Sequence, residues 1–137
     1  MQVKWLLENG ADPNIRSNKS VSPLATASLI PSTRVLDLLI SHGAELDPHA
    51  LFNSMSPRGE GDLPIMSYLI NRGIDVNAVE KQKGSALHYA VDLGSLEKVE
   101  LLLKHGADRT KVAEYGLTPI ELAEKKGLKE IYEILSR

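Results

Sequence analysis

The sequence has no cysteine. That excludes disulfides, thiol catalysis and cysteine-ligated zinc, and it fits a reducing compartment. Aromatic residues are scarce, at one Trp, one Phe and four Tyr in 137 positions, so any core has to be aliphatic. Neither sign of charge dominates. Sixteen Lys and Arg against 18 Asp and Glu leave a formal charge of −2, which gives no electrostatic pull towards nucleic acid or an anionic membrane. Nor do Lys and Arg cluster between aromatics, as a nucleic-acid face would need. No apolar run approaches the roughly 18 residues of a membrane span, and Met1 to Leu7 does not read as a signal peptide. Without such a signal the acceptor triplet Asn18-Lys19-Ser20 reads as chance. What is present is the balance of an ordinary globular domain, 42% apolar and 25% charged.

Within that composition a pattern recurs. A Gly, then Ala or Ile, then an acid occurs as Gly10-Ala11-Asp12, Gly43-Ala44-Glu45, Gly73-Ile74-Asp75 and Gly106-Ala107-Asp108, at spacings of 33, 30 and 33. Upstream of each lies an apolar triplet: Trp5-Leu6-Leu7, Leu38-Leu39-Ile40, Tyr68-Leu69-Ile70 and Leu101-Leu102-Leu103. A fifth, Ile134-Leu135-Ser136, follows 33 residues later. A second anchor sits 12 residues after three of the glycines: Ser22-Pro23-Leu24-Ala25, Ser85-Ala86-Leu87-His88 and Thr118-Pro119-Ile120-Glu121. Ala27, Ala90 and Ala123 stand two positions beyond. Two anchors held in register mean a repeat architecture.

Each anchor has a mechanical meaning. Ser22, Ser85 and Thr118 are N-cap residues whose hydroxyls accept from free amides at a helix start. Pro23 and Pro119 then occupy the first helical position, where a missing N–H costs nothing. Thr118 with Glu121 forms a capping box. The alanines let this first helix approach its neighbours closely. Breaks are expected at Pro31, at Gly59-Glu60-Gly61, at Gly94 and at Gly127. A second helix follows; Ser95 caps Leu96 to Lys104, with Leu96, Val99, Leu102 and Leu103 on one face. Gly106 ends it as a left-handed glycine, with Lys104 and His105 complementing the helix dipole. The short polar stretch from that glycine to the next cap reads as an extended finger with a turn. One such unit cannot bury its own apolar face, so stacking has to supply the core.

These residues resemble the ankyrin repeat. Ser85-Ala86-Leu87-His88-Tyr89-Ala90 and Gly73-Ile74-Asp75-Val76-Asn77-Ala78 come close to its start and finger motifs, and the resemblance covers essentially the whole chain. It implies an all-α solenoid of helix–loop–helix units with projecting fingers. The expected division is a half repeat at 1–14, repeats at 15–47, 48–77 and 78–110, and a C-terminal capping repeat at 111–137.

Departures from the family pattern are specific. The 48–77 copy lacks the Thr-Pro start. Its first helix fits Ala50-Leu51-Phe52-Asn53-Ser54, with Ser54 at the small position, while Asp47-Pro48 offers an earlier cap. That alignment shortens its finger and lengthens the loop from Ser56 to Asp62. Only His88 keeps the family's histidine, Ala25, Phe52 and Glu121 standing elsewhere. The opening helix, Met1 to Asn9, has no first helix to pack on, which leaves Trp5 and Leu6 partly bare; either the array is a fragment of a longer one or some other contact shields that end. Ser136, Arg137 and the charges of Glu124, Lys125, Lys126, Lys129, Glu130 and Glu133 give the other end a wet face.

Catalysis and metal binding have no foothold in these residues. His42 and His105 precede helix-ending glycines as surface residues, His49 reads as surface, and His88 is expected to tie neighbouring loops through a hydrogen bond. No ligand set suits zinc, Glu60-Gly61-Asp62 is too sparse for calcium, and no phosphate loop or nucleophile elbow occurs. No cofactor is expected. The resemblance does raise one modification, hydroxylation of Asn77, since Leu69, Asp75 and Val76 match the family's substrate pattern and Asn14 matches in part; the alternative role for Asn77 is to hydrogen-bond the finger turn.

The resemblance also implies where another protein would bind: through finger tips and the exposed ends of first helices. Those positions are Asn18, Lys19 and Val21, then Lys81, Gln82 and Lys83, then Glu114, Tyr115 and Leu117 on fingers. On helices they are Leu29 and Ile30, Asp92 and Leu93, and Lys125 and Lys126. Leu29-Ile30 with Leu93 form an apolar anchor patch, or else Leu29 and Ile30 pack beneath the irregular third copy. The expected function is a non-catalytic, intracellular, monomeric interaction module, with a regulatory or targeting segment of a larger protein as the alternative. Nucleic acid and membrane are not expected partners.

Overall fold

A computed structural model describes residues 2–30, 32–56 and 63–137, Gln2 by its backbone alone. The breaks expected at Pro31 and at Gly59-Glu60-Gly61, and the acidic Glu60-Gly61-Asp62, lie outside these residues. Nine helices occur among them, with one short β-ladder. The chain divides into two units, one up to Ile74 and one from Asp75.

The first unit holds α1 (Gln2–Glu8), α2 (Pro23–Ala27), α3 (Thr33–Ser41), α4 (His49–Met55) and α5 (Leu63–Asn71). The second holds β1 (Val79–Glu80), β2 (Gly84–Ser85), α6 (Ala86–Asp92), α7 (Leu96–Lys104), α8 (Pro119–Lys126) and α9 (Lys129–Ser136). First helices pack on first helices, α2 on α4 and α6 on α8; second helices pack on second helices, α1 on α3 and α7 on α9. Each complete pair also closes on itself: α2 with α3, α4 with α5, α6 with α7 and α8 with α9. Within each unit this is a one-dimensional pile, and its architecture is all-α.

The caps explain why helices this short hold. Ser22, Ser85 and Thr118 sit in extended conformation and accept from the amides of Ala25, His88 and Glu121. Ser85 and His88 make a second capping box, the imidazole taking the role that Glu121 plays for Thr118. Ser95 caps α7 at its expected start by accepting from Lys98 N–H. At the far end of α7, Gly106 has φ +86, and the amides of Gly106 and Ala107 close back onto Leu103 and Leu102 carbonyls at 3.2 and 3.0 Å. That satisfies carbonyls which an L side chain in this conformation would leave strained. At the end of α9, Arg109 Nη1 donates to the carbonyls of Ile134, Leu135 and Arg137.

The core is aliphatic as the composition requires. Leu24, Leu36, Leu51, Ile65, Met66 and Leu69 are buried in the first unit, and Leu87, Val91, Val99 and Leu102 in the second. Full burial of each such side chain stabilises by about 1.5–3 kcal/mol. Ala27, Ala90 and Ala123 are buried, the last two completely, as close helix contacts need. Trp5 and Leu6 are 63% and 49% exposed on α1.

Fingers are stapled forward by side chains one residue type at a time. Asn14 Nδ2 donates to Gly43 O at 3.0 Å while its Oδ1 accepts from Glu45 N–H at 2.7 Å. Asn77 does the same for Gly106 O and Asp108 N–H, at 3.3 and 2.7 Å. At the equivalent place in the irregular copy stands Asp47, which turns backward. Its carboxylate accepts from the Ser22 hydroxyl at 2.6 Å and from His49 N–H at 3.1 Å. α4 starts at His49, one residue ahead of the Ala50 expected from sequence; Pro48 stands at its N-cap without a side-chain cap bond, while the Asp47 carboxylate holds the His49 amide from one residue further back. Burial pushes this carboxyl up, but the hydrogen bonds outweigh it and hold its pKa below the usual 3.8. Ser54 is buried at the small position and Phe52 is buried where the family has histidine.

Candidate functional site

In the second unit the finger 79–85 is a hairpin in the register Val79 to Ser85 and Glu80 to Gly84, which leaves Lys81, Gln82 and Lys83 at its tip. Gly84 makes this path possible. It has φ +76, and a Cβ there would lie 2.9 Å from His88 Cγ and 3.0 Å from the Ala113 Cβ. The next finger turns at its own tip, with Ala113 N–H donating to Leu117 O at 3.0 Å and Gly116 N–H to Ala113 O at 2.8 Å. Glu114, Tyr115 and Leu117 belong to that turn.

His88 joins the two fingers. It is fully buried; its Nδ1 accepts from Ser85 N–H at 3.2 Å, which leaves Nε2–H to donate to Leu117 O at 2.8 Å. Burial holds its pKa below the usual 6.5, the contact with Leu117 O opposing the shift and Lys111 reinforcing it. Tyr115 stands edge-on to the imidazole, with ring centroids 6.0 Å apart. The tie between neighbouring loops is therefore real, and it also fixes the wall of a depression.

That depression has a volume of about 270 Å³ and is lined by Gln82, Lys83, Tyr89, Asp92, Tyr115, Leu117, Leu122 and Lys125. Six of these are positions expected from the sequence. Tyr89 and Leu122 are not; they lie inside the first-helix motifs, where a core role is the natural reading. Lys83 Nζ lies 4.7 Å over the Tyr89 ring and 3.4 Å from Glu80. Asp92 pairs with Lys126 at 3.0 Å. Burial, and then Asp92, push the Tyr115 hydroxyl pKa above 10, so it stays a donor at neutral pH. Lys81 and Glu114 are exposed beside the depression, and Leu93 is half-buried at the end of α6.

In the first unit Asn18 and Lys19 are exposed at a turn closed by Ser20 N–H to Ser17 O at 2.8 Å. Val21 and Ile30 line a groove of about 620 Å³ with Val3, Ile15, Pro23 and Ala27. Leu29 is half-buried. The loop it was alternatively expected to underlie falls mostly outside the described residues.

The remaining candidates have structural surroundings. Both amide atoms of Asn77 are occupied by the next finger, and Lys111 Nζ donates to its carbonyl. The Asn77 side chain therefore bridges to the next finger rather than closing its own turn, although the Asn77 backbone N–H donates to Asp75 Oδ1 at 2.8 Å. His42 and His105 are exposed C-cap residues, and His49 Nδ1 lies 3.1 Å from Asp47. Among the described residues no three His, Asp or Glu side chains converge as a metal site, and no helix is long and apolar enough to cross a membrane. The arrangement is suited to binding.

A family model described as ankyrin repeats, in three copies, matches residues 54–137. NF-kappa-B inhibitor alpha of Gallus gallus is 34% identical over 133 residues, which is 88% of this chain and 41% of that protein. Potassium channel AKT1 of Oryza sativa subsp. indica is 42% identical over 72 residues, 53% of this chain and 8% of that protein. Neurogenic locus notch homolog protein 1 of Homo sapiens is 33% identical over 130 residues, 88% of this chain and 5% of that protein. The chain thus spans less than half the length of each. Ankyrin repeats are generally non-catalytic modules for protein–protein interaction. With its capped helix pairs, its fingers and its matching family model, the chain belongs to the ankyrin-repeat family.

Proposed function

We propose that this chain is a non-catalytic, intracellular interaction module that holds another protein as a monomer, through its finger tips and the adjoining first-helix ends. The carrying observation is the gathering of Gln82, Lys83, Asp92, Tyr115, Leu117 and Lys125 around one depression whose walls are fixed by a buried hydrogen-bonded histidine. Preorganisation of this kind lowers the ordering cost of association. An aromatic side chain at the centre with charges at the rim is how interface hot spots are arranged. In the first unit, taken by itself, Asn18, Lys19, Val21, Leu29 and Ile30 are the proposed contact positions, and in the second Lys81, Leu93, Glu114 and Lys126 add to those around the depression.

The test is a cross-linked pull-down from the native cell with the double variant Tyr115→Ala, Lys125→Ala. Loss of the captured partner with unchanged helicity is expected. Retention of the partner by the variant would refute this face. A second reading, a regulatory or targeting segment of a larger protein, draws support from the small share of the channel and notch relatives that the chain spans. A native product no larger than 137 residues, seen with an antibody to this chain, would count against it.

A further inference from the structure

The depression of the second unit has a charge character of its own. Its lining carries Lys83 and Lys125 against Asp92, in a chain whose formal charge is −2. Asp92 is already engaged, with Lys126 Nζ at 3.0 Å. A basic group of a partner would therefore have to displace an ion pair. Lys125, on the last turn of α8, makes no ion pair with any described residue, and its side chain is exposed beside Leu122 and Tyr115. Lys83 approaches from the hairpin side, its ammonium held over Tyr89 and paired with Glu80 at 3.4 Å, so Lys125 is the contact offered to an anion. The two cations thus come from different elements onto one rim, while Tyr115, Leu117 and Leu122 supply the apolar wall. The protonated Tyr115 hydroxyl can donate but has no charge to repel an anion.

We infer that the ligand of this depression is an extended acidic segment of a partner protein, placing a carboxylate on Lys125 and a neighbouring apolar side chain against Tyr115, Leu117 and Leu122. This rests on the reading of the face as a protein-docking site and specifies which protein chemistry it selects. A volume of about 270 Å³ accommodates side chains, not a folded domain. Rim charges act mainly on specificity and on the rate of encounter, whereas the buried aromatic contact holds the complex.

The test uses the intact chain, immobilised and panned against a random dodecapeptide library displayed on phage, with the recovered peptides synthesised and titrated by calorimetry. Enrichment in Asp and Glu beside an apolar residue is expected. An exposed ion pair of about 0.2–1 kcal/mol predicts that Lys125→Gln weakens these peptides roughly 2–5-fold and that charge reversal in Lys125→Glu weakens them on the order of tenfold. Raising the salt concentration should narrow the difference between parent and Lys125→Glu. Tyr115→Ala should weaken binding as well, and Lys104→Glu on α7 should leave it unchanged. Neutral or basic peptides that are sensitive to Tyr115→Ala but indifferent to Lys125→Glu would overturn the acidic ligand while keeping the docking face. Failure to recover binders, or binders indifferent to both substitutions, would overturn both.

Discussion

Replacing His88 probes the joint on which the candidate face is built. In His88→Ala the Ser85 N–H loses an acceptor and the Leu117 carbonyl loses a donor, both at buried or part-buried positions. The Ser85 N–H left without this acceptor costs about 1–3 kcal/mol, the Leu117 carbonyl keeps the Ala113 N–H as a partner, and the vacated ring volume adds a cavity term. A loss of about 3–5 kcal/mol is expected, a large fraction of the roughly 5–15 kcal/mol that holds a domain folded. The imidazole also gives a pH signature. Its folded pKa lies below the usual 6.5, so the unfolded chain binds more protons once pH falls below that value. The stability it contributes is therefore complete well above pH 6.5 and declines as pH drops towards the folded pKa, below which the slope ends. The slope is at most about 1.36 kcal/mol per pH unit, so no more than about 1.4 kcal/mol is lost between pH 7.5 and 5.5 on this ground. Urea unfolding followed by far-ultraviolet circular dichroism suits the purpose, because the one Trp, Trp5, lies in the other unit. His88→Gln serves as the non-titrating comparison. A cost of His88→Ala below about 1 kcal/mol, or a difference between parent and His88→Gln that ignores pH, would refute the buried neutral strut.

Other substitutions separate backbone effects from side-chain effects. Gly84→Ala should cost about 2–4 kcal/mol, from its positive φ and from the 2.9 Å approach to His88, whereas Gly116→Ala, with positive φ but open space around it, should cost only the backbone part of about 1–2 kcal/mol; equal losses on urea unfolding would remove the steric argument. Asp47→Ala leaves the Ser22 hydroxyl and His49 amide without their acceptor and should cost about 2–3 kcal/mol at neutral pH. Because the Asp47 pKa is depressed, that contribution is present above pH 3.8 and fades as pH falls through its folded value, so the gap between parent and variant should shrink in acid unfolding curves; a gap unchanged with pH contradicts this. Asn77→Ala should cost about 1–2 kcal/mol through loss of two hydrogen bonds to the next finger. Intact-mass measurement of native protein bears on its hydroxylation, and absence of an added oxygen would dismiss that modification.

Most of the architecture was legible because capping residues act locally. Ser22, Ser85, Ser95 and Thr118 each bind an amide two or three residues into their own helix, so their meaning survives without knowing the fold. The irregular copy was harder for the opposite reason. Asp47 occupies the position of the finger asparagines, yet its decisive contact is with Ser22, 25 residues earlier, and nothing local announces it. Site residues divide in the same way. Lys83, Tyr115 and Lys125 follow from repeat position alone. Tyr89 and Leu122 line the depression only because their motifs present one edge outward while burying the rest, and sequence cannot tell an edge-exposed core residue from a covered one. Arg109 is the clearest omission: it closes the last helix from 25 to 28 residues away, with no spacing rule to point to it.

The proposed docking face can be tested directly by placing a photo-cross-linking phenylalanine analogue at Tyr115 in one variant and at Tyr132, exposed on α9, in another, and irradiating each in the native cell. A single partner protein cross-linked from position 115 and not from position 132 is the expected result. Cross-linking from position 132 alone would contradict it and move the interface to the second helices.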